Sequence, residues 1–297
     1  MNGPIFLAGA SRCGKSLLRS VLAESSNIAA TRRCDMWPRF YRRFGDLAHR
    51  PNLDRCLAAM MRRKQIAALR TDLDAVRSAF AAGPPSYERL FALVNEQFAT
   101  RGGKSRWLDQ TATADAYADE ILCAYPDARI VHLVRDPRDC WAALLDRSGT
   151  RRLALGRFVR EWTTAASRSA RNEVRHPDSY LVVRYEDVVT RPAQTVREIC
   201  EFVGEPFSEE MLELRASPRY ARADAAAPAI TAQYVGVHRS ALGCRTRAHI
   251  HAVAGTEMRR LRYEVDRPAG ARDRVRAALV DFPVTALRTA RRAGGRL

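Results

Sequence analysis

The sequence predicts an α/β fold in which helices flank a central, mostly parallel sheet, with a helical insert. Two observations support this prediction. Short apolar runs typical of buried strands alternate with helical patterns along the chain, an order that favours a parallel sheet covered by helices. A glycine-containing segment also separates the first apolar run from the first helical pattern, as in many α/β proteins.

The first third of the chain holds two predicted strands and the insert. The first strand covers residues 4–8, and the first helix covers 16–23. A weaker second strand covers 27–30. Residues 39–101 form the helical insert, which we expect to be interrupted at Pro51 and at Gly83-Pro84-Pro85.

The remainder continues the alternation of strands and helices. The apolar run RIVHLV at 129–134 is the clearest strand, and its His132 is expected to be a hydrogen-bonded core residue. We expect further strands at 105–109 and 180–184, and helices at 112–124, 137–147, 152–174, 192–203 and 248–261. A loop-rich stretch at 215–243 separates the last two helices.

The alternation predicts one α/β domain over residues 1–265 and a basic tail over 266–297. The tail carries eight arginines against three aspartates. It is either a solvated terminus or, near 275–292, a basic amphipathic helix in peripheral contact with anionic lipid.

Positive charge is the unusual feature of the composition. Fifty Lys and Arg residues stand against 33 Asp and Glu in 297 residues, a net charge of +17. Such a chain favours anionic partners, among them nucleotides, acidic glycans or an anionic membrane surface. A nucleic-acid partner is not expected, because no basic motif interleaved with aromatic residues occurs.

Other classes are disfavoured by what the sequence lacks. No run of about 18 apolar residues predicts a transmembrane helix, and the start lacks the basic leader of a secretory signal. The seven cysteines are widely spaced without a CxxC pair, which predicts free thiols and a cytoplasmic location. His249 and His251 stand without further ligands, so no metal site is expected.

Residues 9–16 read GASRCGKS and match the phosphate-loop pattern GxxxxGK[ST]. In the strand–loop–helix context of this motif, glycines let the backbone wrap an anion, and amides at the start of the helix point towards it. Lys15 adds a positive charge. The motif places the fold among the three-layer phosphate-loop proteins; the alternative is a glycine turn that only caps the helix.

A second candidate anion site follows the strand at 129–134. Arg135 stands at its carboxyl end, where open α/β sheets bind ligands. An ATP enzyme commonly has a metal-binding acid at such a position. Two anion sites on one sheet suggest a ligand with phosphates at both ends, such as 3′-phosphoadenosine 5′-phosphosulfate (PAPS). The alternative is a surface turn with capping aspartates.

Three segments of the chain resemble the PAPS-dependent sulfotransferases, most closely the bacterial members related to tyrosylprotein and glycan sulfotransferases. They read IFLAGASRCGKSLLRSVL, ARIVHLVRDPRDCWAAL and SYLVVRYEDVVTRPAQTVREICEFVGEPFSEEML. A later segment, AVAGTEMRRLRYEV, is similar to the closing helix of the family. The resemblance covers roughly residues 4–34 and 105–265 and does not identify an acceptor.

The resemblance implies roles for individual residues in binding the donor. The 5′-phosphosulfate would be held by the loop residues Ser11, Arg12, Cys13, Gly14, Lys15 and Ser16. Arg135 would bind the 3′-phosphate, and Tyr185 would pack near the adenine or simply in the core. His238 and Arg239 lie in a late loop that closes over the donor in relatives.

The sequence departs from the family pattern at three places. Ala143 stands where the family usually has a phosphate-binding serine, a role that Ser148 or an arginine would have to take. Gln110 stands where many relatives have a lysine, and the acid that often follows the second strand is absent or displaced. Asp109 and Asp35 are the candidate bases, with Asp109 preferred; each is alternatively a helix cap or an arginine partner.

The resemblance implies metal-independent, in-line transfer of a sulfuryl group to a hydroxyl or amine of a small-molecule, glycan or peptide acceptor, with Lys15 and a carboxylate as catalytic groups. The product would be adenosine 3′,5′-bisphosphate (PAP). One alternative is a small-molecule kinase that uses ATP–Mg²⁺, with Arg135, Arg138 and Arg147 as phosphate clamps. The other is a non-catalytic nucleotide- or polyanion-binding protein.

Most of the excess charge lies outside the segments that carry chemistry. Residues 39–64 contain eight basic and two acidic residues, and the tail adds a net charge of +5. We therefore expect the bulk charge to serve an acidic acceptor or a surface rather than the donor.

Overall fold

The computed structural model describes residues 3–148, 155–213 and 230–265. Their contacts divide the chain into two units, described separately. The first comprises Met1–Gly9, Gly14–Val134 and Ser169–Ala232, and the second comprises Ala10–Cys13, Arg135–Arg168 and Gln233–Leu297. The single domain over 1–265 stays a prediction, and the tail at 266–297 lies outside the described residues.

The first unit contains a five-stranded sheet in which every described strand pair is parallel. Its strand order is β2-β3-β1-β4-β5. The strands are β1 (Ile5–Ala8), β2 (Ile28–Ala30), β3 (Arg106–Asp109), β4 (Arg129–Val134) and β5 (Tyr180–Arg184). This confirms the predicted α/β fold with a parallel central sheet and the position of each predicted strand to within one residue.

The register aligns the ends of the central strands. Ile5 of β1 lies opposite Leu108 of β3 and Arg129 of β4, and Ile130 lies opposite Tyr180 of β5. Because parallel strands end at the same edge, the segments that follow β1, β3 and β4 all leave from one edge of the sheet.

Helices connect the strands and form the insert between β2 and β3. They are α1 (Lys15–Ala23), α2 (Met36–Phe40), α3 (Arg50–Met61), α4 (Lys64–Ala67), α5 (Leu73–Ala81), α6 (Tyr87–Arg101), α7 (Ala118–Ala124), α8 (Pro137–Ser148), α9 (Leu155–Arg175), α10 (Tyr185–Thr190), α11 (Pro192–Val203), α12 (His238–Ala241) and α13 (Cys244–Arg260). In the described residues none is long and apolar enough to cross a bilayer.

Local capping explains where the insert helices begin. The Asp72 carboxylate accepts hydrogen bonds from two amides of α5, and the Ser86 hydroxyl accepts one from α6. The predicted break at residues 83–85 is confirmed, because α5 ends before it and α6 begins after it. Pro51 instead lies in the first turn of α3, where a missing amide hydrogen costs nothing.

Three helix boundaries differ from the sequence prediction. The helix expected at 112–124 begins only at Ala118, after a short 3₁₀ turn at Ala114–Ala116. The last helix begins at Cys244, ahead of the predicted start, and Tyr185–Thr190, where no helix was predicted, forms α10.

An aromatic cluster joins the insert to the sheet. Phe6 of β1 lies 6.5 Å from the Trp37 ring of α2 and 5.4 Å from the Trp107 ring of β3. Trp37 also contacts Phe91 of α6 at 5.8 Å. Burying these large rings stabilises the placement of α2, and with it the residues just before α2, against the carboxyl edge of the sheet.

The second unit is built on α8, α12, α13 and the first part of α9. Trp141 and Phe158 pack at 5.4 Å, and the Trp162 indole donates a hydrogen bond of 2.9 Å to the carbonyl oxygen of Arg135. That bond fixes the backbone immediately before α8. All seven cysteines are free thiols.

Candidate active site

The phosphate loop connects β1 to α1 through backbone conformations that favour glycine. Gly14 precedes α1 with φ 99°, and a Cβ atom placed on it would lie 2.4 Å from Cδ2 of Tyr185. Both the dihedral angle and the packing therefore exclude a larger residue. The buried Tyr185 ring, predicted either to meet adenine or to pack in the core, forms one wall behind this turn.

Lys15 begins α1 and is almost completely buried. Its ammonium donates a hydrogen bond of 2.5 Å to the carbonyl oxygen of Gly9, at the other end of the loop. Ser16 is exposed, and its hydroxyl lies 3.5 Å from the side-chain amide of Gln110. The start of α1 thus places a cation, a hydroxyl and the positive end of a helix dipole together.

Within the second unit, Arg135 lies beside the loop residue Arg12. The buried Arg135 guanidinium donates to the carbonyl oxygen of Arg12 at 3.1 Å and to that of Tyr234 at 2.6 Å. Of the other loop residues, Ser11 is exposed and Cys13 is buried. Arg135, which is predicted to bind the 3′-phosphate of the donor, therefore contacts Arg12 of the loop that is predicted to hold the 5′-phosphosulfate.

Asp139, which the sequence suggested only as a helix cap, organises the segment that contains His238. Its carboxylate accepts hydrogen bonds from the amide of Gly236 at 2.7 Å and from both the amide and Nδ1 of His238, at 2.9 and 2.6 Å. Burial raises the pKa of Asp139, but these hydrogen bonds outweigh it and hold the pKa below its usual value. Arg239 next to it is exposed.

A carboxylate cluster stands at the ends of β2 and β3 in the first unit. Asp109 ends β3 and is 1% exposed. The Thr111 hydroxyl donates to its Oδ2 at 2.9 Å, whereas Oδ1 is buried and accepts no hydrogen bond from the described residues. Burial, with a smaller contribution from the charge of Asp35, raises the pKa of Asp109 to about 7.

Asp35 is the second member of this cluster. It precedes α2 with φ 52°, and Arg33 Nε lies 2.9 Å from its Oδ2, with Arg39 Nε at 3.8 Å from the same oxygen. The arginine-paired alternative for Asp35 is therefore observed. Asp109 has no such ion pair among the described residues.

Two further groups complete the cluster, and the sequence analysis gave neither a role. Burial and the charge of Asp109 raise the pKa of Cys34 above its usual range, while the charge of Arg63 acts in the opposite direction. Arg63 thus lies close to this cluster. Its Nε is buried and has no hydrogen-bond partner among the described residues. In the sequence, the position of Cys34 directly before Asp35 was the sole sign that it belongs to this cluster.

The remaining candidates have structural partners. His132 is buried and hydrogen-bonded through Nδ1 to the Tyr180 hydroxyl at 2.8 Å, which confirms it as a core histidine. Arg138, a phosphate clamp in the kinase alternative, pairs with Asp136 at 2.6 Å and contacts His251. The side chain of Arg147, the third arginine of that alternative, lies outside the described residues.

Ala143 lies half-buried in α8, and the side chain of Ser148, which was considered as a replacement for the family serine, lies outside the described residues. In the described residues no group of three His, Cys, Asp or Glu side chains is arranged to hold a metal ion.

The chain was compared with protein families, curated proteins and solved structures. A family model described as "Sulfotransferase family" matches residues 4–209. No curated protein matches the chain.

Solved structures that resemble the chain include sulfotransferase domains from two biosynthetic enzymes. The domain of the olefin synthase from Synechococcus PCC 7002 has a TM-score of 0.59 at 20% identity, covering 90% of this chain and 98% of that one. The domain from the curacin biosynthetic pathway has a TM-score of 0.56 at 17% identity, covering 90% and 99%.

A mouse sulfotransferase, SULT7A1, solved in complex with PAP, has a TM-score of 0.52 at 14% identity, covering 86% of this chain and 85% of that one. At these identities the structural likeness supports the fold, whereas the match to the family model covers more than two thirds of the sequence.

Proposed function

The chain belongs to the sulfotransferase family, and we propose that it transfers a sulfuryl group from PAPS to a hydroxyl or amine of its acceptor. Sulfuryl transfer in general follows from membership of the family. The observation that best supports the donor is the phosphate loop with Gly14 packed against Tyr185, which holds the start of α1 open to an anion. The mouse sulfotransferase solved with PAP supports the same donor class.

The donor is held by two groups of side chains. The loop residues from Ser11 to Ser16 bind the 5′-phosphosulfate, where the positive end of the α1 dipole favours an anion. Arg135 binds the 3′-phosphate, and its contact with the carbonyl oxygen of Arg12 supports this role. Tyr185 packs near the adenine, and His238 and Arg239 close over the donor.

Lys15 stabilises the charge that develops on the oxygen between phosphate and sulfur. The acceptor oxygen or nitrogen attacks the sulfur in line, the sulfur–oxygen bond to the phosphate breaks, and PAP is released. The transferred group carries less charge than a phosphoryl group, so positioning and hydrogen-bond donors suffice without a metal. Arg12 and Ser16 orient the phosphosulfate for this attack.

Asp109 accepts the acceptor's proton. Its Oδ1 has no hydrogen-bond partner among the described residues, and a pKa of about 7 suits a base that works near neutrality. Asp35 is the alternative base, but its Oδ2 already forms an ion pair with Arg33. Because Asp109 is almost completely buried, only an acceptor group that enters the cluster reaches it.

A thermal-shift series tests the donor. PAP is expected to raise the melting temperature without Mg²⁺, because a ligand that binds only the folded chain stabilises it. A transfer assay with radiosulfur-labelled PAPS then measures turnover. Stabilisation by ATP–Mg²⁺ but not by PAP would contradict the proposal and favour the kinase.

The thermal-shift and transfer assays together also distinguish the proposed enzyme from a protein that only binds the nucleotide. A chain that binds PAP but transfers no label to a broad panel of hydroxyls and amines is a binding protein. The cytoplasmic location and the contact of the tail with anionic lipid stay predictions.

A further inference from the structure

Charge is segregated within the first unit. Residues 32–70 carry eleven basic and three acidic residues, whereas residues 71–134 carry six basic and nine acidic residues. A general preference for arginine over lysine would alter the kind of basic residue but not separate the two signs along the chain. The segregation therefore leaves the segment that contains α2, α3 and α4 with a strong excess of positive charge.

Most of these basic side chains are exposed and have no acidic partner. Seven are exposed and form no ion pair within the described residues: Arg32, Arg42, Arg43, Arg55, Arg62, Lys64 and Arg70. Charges that are neither buried nor neutralised by neighbours repel one another and favour an external polyanion.

Two of them share one face of α3, and a third follows at the start of α4. Arg55 and Arg62 are seven positions apart and therefore share one face of the helix, two turns apart. The buried residues of α3, among them Leu57 and Met60, lie on the opposite face. Lys64 follows at the start of α4 and is exposed. We call Arg55, Arg62 and Lys64 the basic row.

Arg63 connects the basic row to the carboxylate cluster. It lies between Arg62 and Lys64 in the chain and its Nε is buried, and the carbonyl oxygen of Gln65, two residues further on, lies 4.0 Å from the Cys34 thiol of the cluster. An anionic chain bound along the row would therefore reach the cluster that contains the proposed base.

We infer that the acceptor is an acidic polysaccharide, bound by the basic row so that one of its hydroxyls enters the carboxylate cluster. This inference rests on the proposed function, which requires an acceptor with a hydroxyl or amine. An anionic membrane fits less well, because the large exposed apolar side chains of the described residues all lie outside 32–70. The large exposed side chains outside 32–70 include the one exposed aromatic ring that the described residues show, Tyr234. A single-stranded nucleic acid is therefore disfavoured as well, because it binds by stacking its bases on aromatic rings.

The test compares polyanion binding by the full chain and by two triple variants. Hyaluronan fragments supply carboxylates and hydroxyls, and neutral dextran of the same length is the blank. The variant Arg55→Gln/Arg62→Gln/Lys64→Gln is expected to lose about tenfold or more in affinity at low salt. The slope of log affinity against log salt should fall by roughly one for each lost contact.

The control variant Arg171→Gln/Arg191→Gln/Arg197→Gln removes the same charge from exposed positions on α9 and beside and within α11. It is expected to bind hyaluronan within about twofold of the unmodified chain. Equal losses in both variants would mean that only net charge matters, and would overturn the inference. So would stronger binding to a thymidine oligonucleotide of matched charge or to phosphatidylglycerol vesicles.

Donor binding separates failure of this inference from failure of the proposed function. A PAP thermal shift without hyaluronan binding would contradict the inference alone. Hyaluronan binding through the row without any PAP shift would contradict the proposed function and, with it, the acceptor role. Transfer of radiosulfur to hyaluronan that is lost in the row variant but kept in the control would support both.

Discussion

The phosphate loop and the carboxylate cluster reach their chemistry by different routes. The loop works through backbone geometry at one short segment, where Gly14 adopts φ 99° before α1. The cluster works through burial, because Asp109 at the end of β3 is enclosed by residues from the segment between β2 and α2 and from the segment after β3. One site is therefore local in sequence, and the other exists only in the folded chain.

This difference decides how each site responds to change. A site built from backbone fails when its dihedral angles or close packing are disturbed. A site whose pKa is set by burial changes gradually as single hydrogen bonds or charges are removed. The substitutions below probe the two routes in order of expected effect.

Replacing Gly14 with Ala should have the largest effect. The new Cβ would meet the Tyr185 ring at 2.4 Å, and the positive φ adds strain of about 1–3 kcal/mol. PAP should no longer raise the melting temperature, and turnover should be abolished. Gly243→Ala is the matched control, because a Cβ there meets nothing within 4 Å and φ is −64°; equal loss in both would mean that the loop geometry is not essential.

Asp109→Asn should reduce transfer by about 10²–10⁴-fold, the usual contribution of a general base. The unmodified enzyme needs the ionised carboxylate, so its rate should rise as pH increases through about 7. That rise should vanish in Asp109→Asn and remain in Asp35→Asn. The pH–rate profiles of the two variants identify the base; a rise lost only in Asp35→Asn would reverse the assignment.

The same residue links stability to pH. The pKa of Asp109 is raised from 3.8 to about 7 on folding, so the folded chain retains a proton that the unfolded chain has released. Stability should therefore fall as pH rises from about 4 to 7, by at most about 1.4 kcal/mol per pH unit. Denaturant unfolding at several pH values should show this slope reduced in Asp109→Asn.

Lys15→Ala should slow transfer by about 10²–10³-fold, as loss of one donor to a developing negative charge does elsewhere. PAP affinity should fall much less, because the backbone of the loop still binds the phosphate. Lys104→Ala is the control: its ammonium donates hydrogen bonds to the carbonyl oxygens of Ala23 and Ser25, so the melting temperature should fall while turnover is kept. Unchanged turnover in Lys15→Ala would contradict its role.

The contrast also explains what could be predicted from sequence. The loop at 9–16, the strand positions and the placement of Arg135 depend on local patterns, and the fold they imply is confirmed. The pKa of Asp109 depends on enclosure by elements far apart in the chain, which no local pattern records. The bonds from His238 to Asp139 span almost a hundred residues and were invisible for the same reason.

Asp139→Asn should weaken the second anion site by roughly tenfold, equivalent to about 1.4 kcal/mol. Asp139 accepts bonds from Gly236 and His238, and Tyr234 in the same segment accepts one from Arg135. Loosening this segment should lower affinity for PAP but not for adenosine 5′-monophosphate, which lacks the 3′-phosphate. Asp146→Asn, an exposed position on the same helix, should alter neither affinity; equal loss for both nucleotides would indicate a general structural effect.

Thr111→Val should have the smallest effect, and it tests most directly how burial and hydrogen bonding together set the pKa of Asp109. The Thr111 hydroxyl donates to Asp109 and lowers its pKa against the effect of burial. Removing this bond, worth about 1 kcal/mol, should move the rise in rate to higher pH and slow transfer about threefold at pH 7. The rate should recover fully at pH 9, where Asp109 is ionised in both proteins. Thr113→Val, an exposed neighbour, should keep the original profile; a loss in Thr111→Val that persists at pH 9 would show that the hydroxyl positions the acceptor rather than tuning the base.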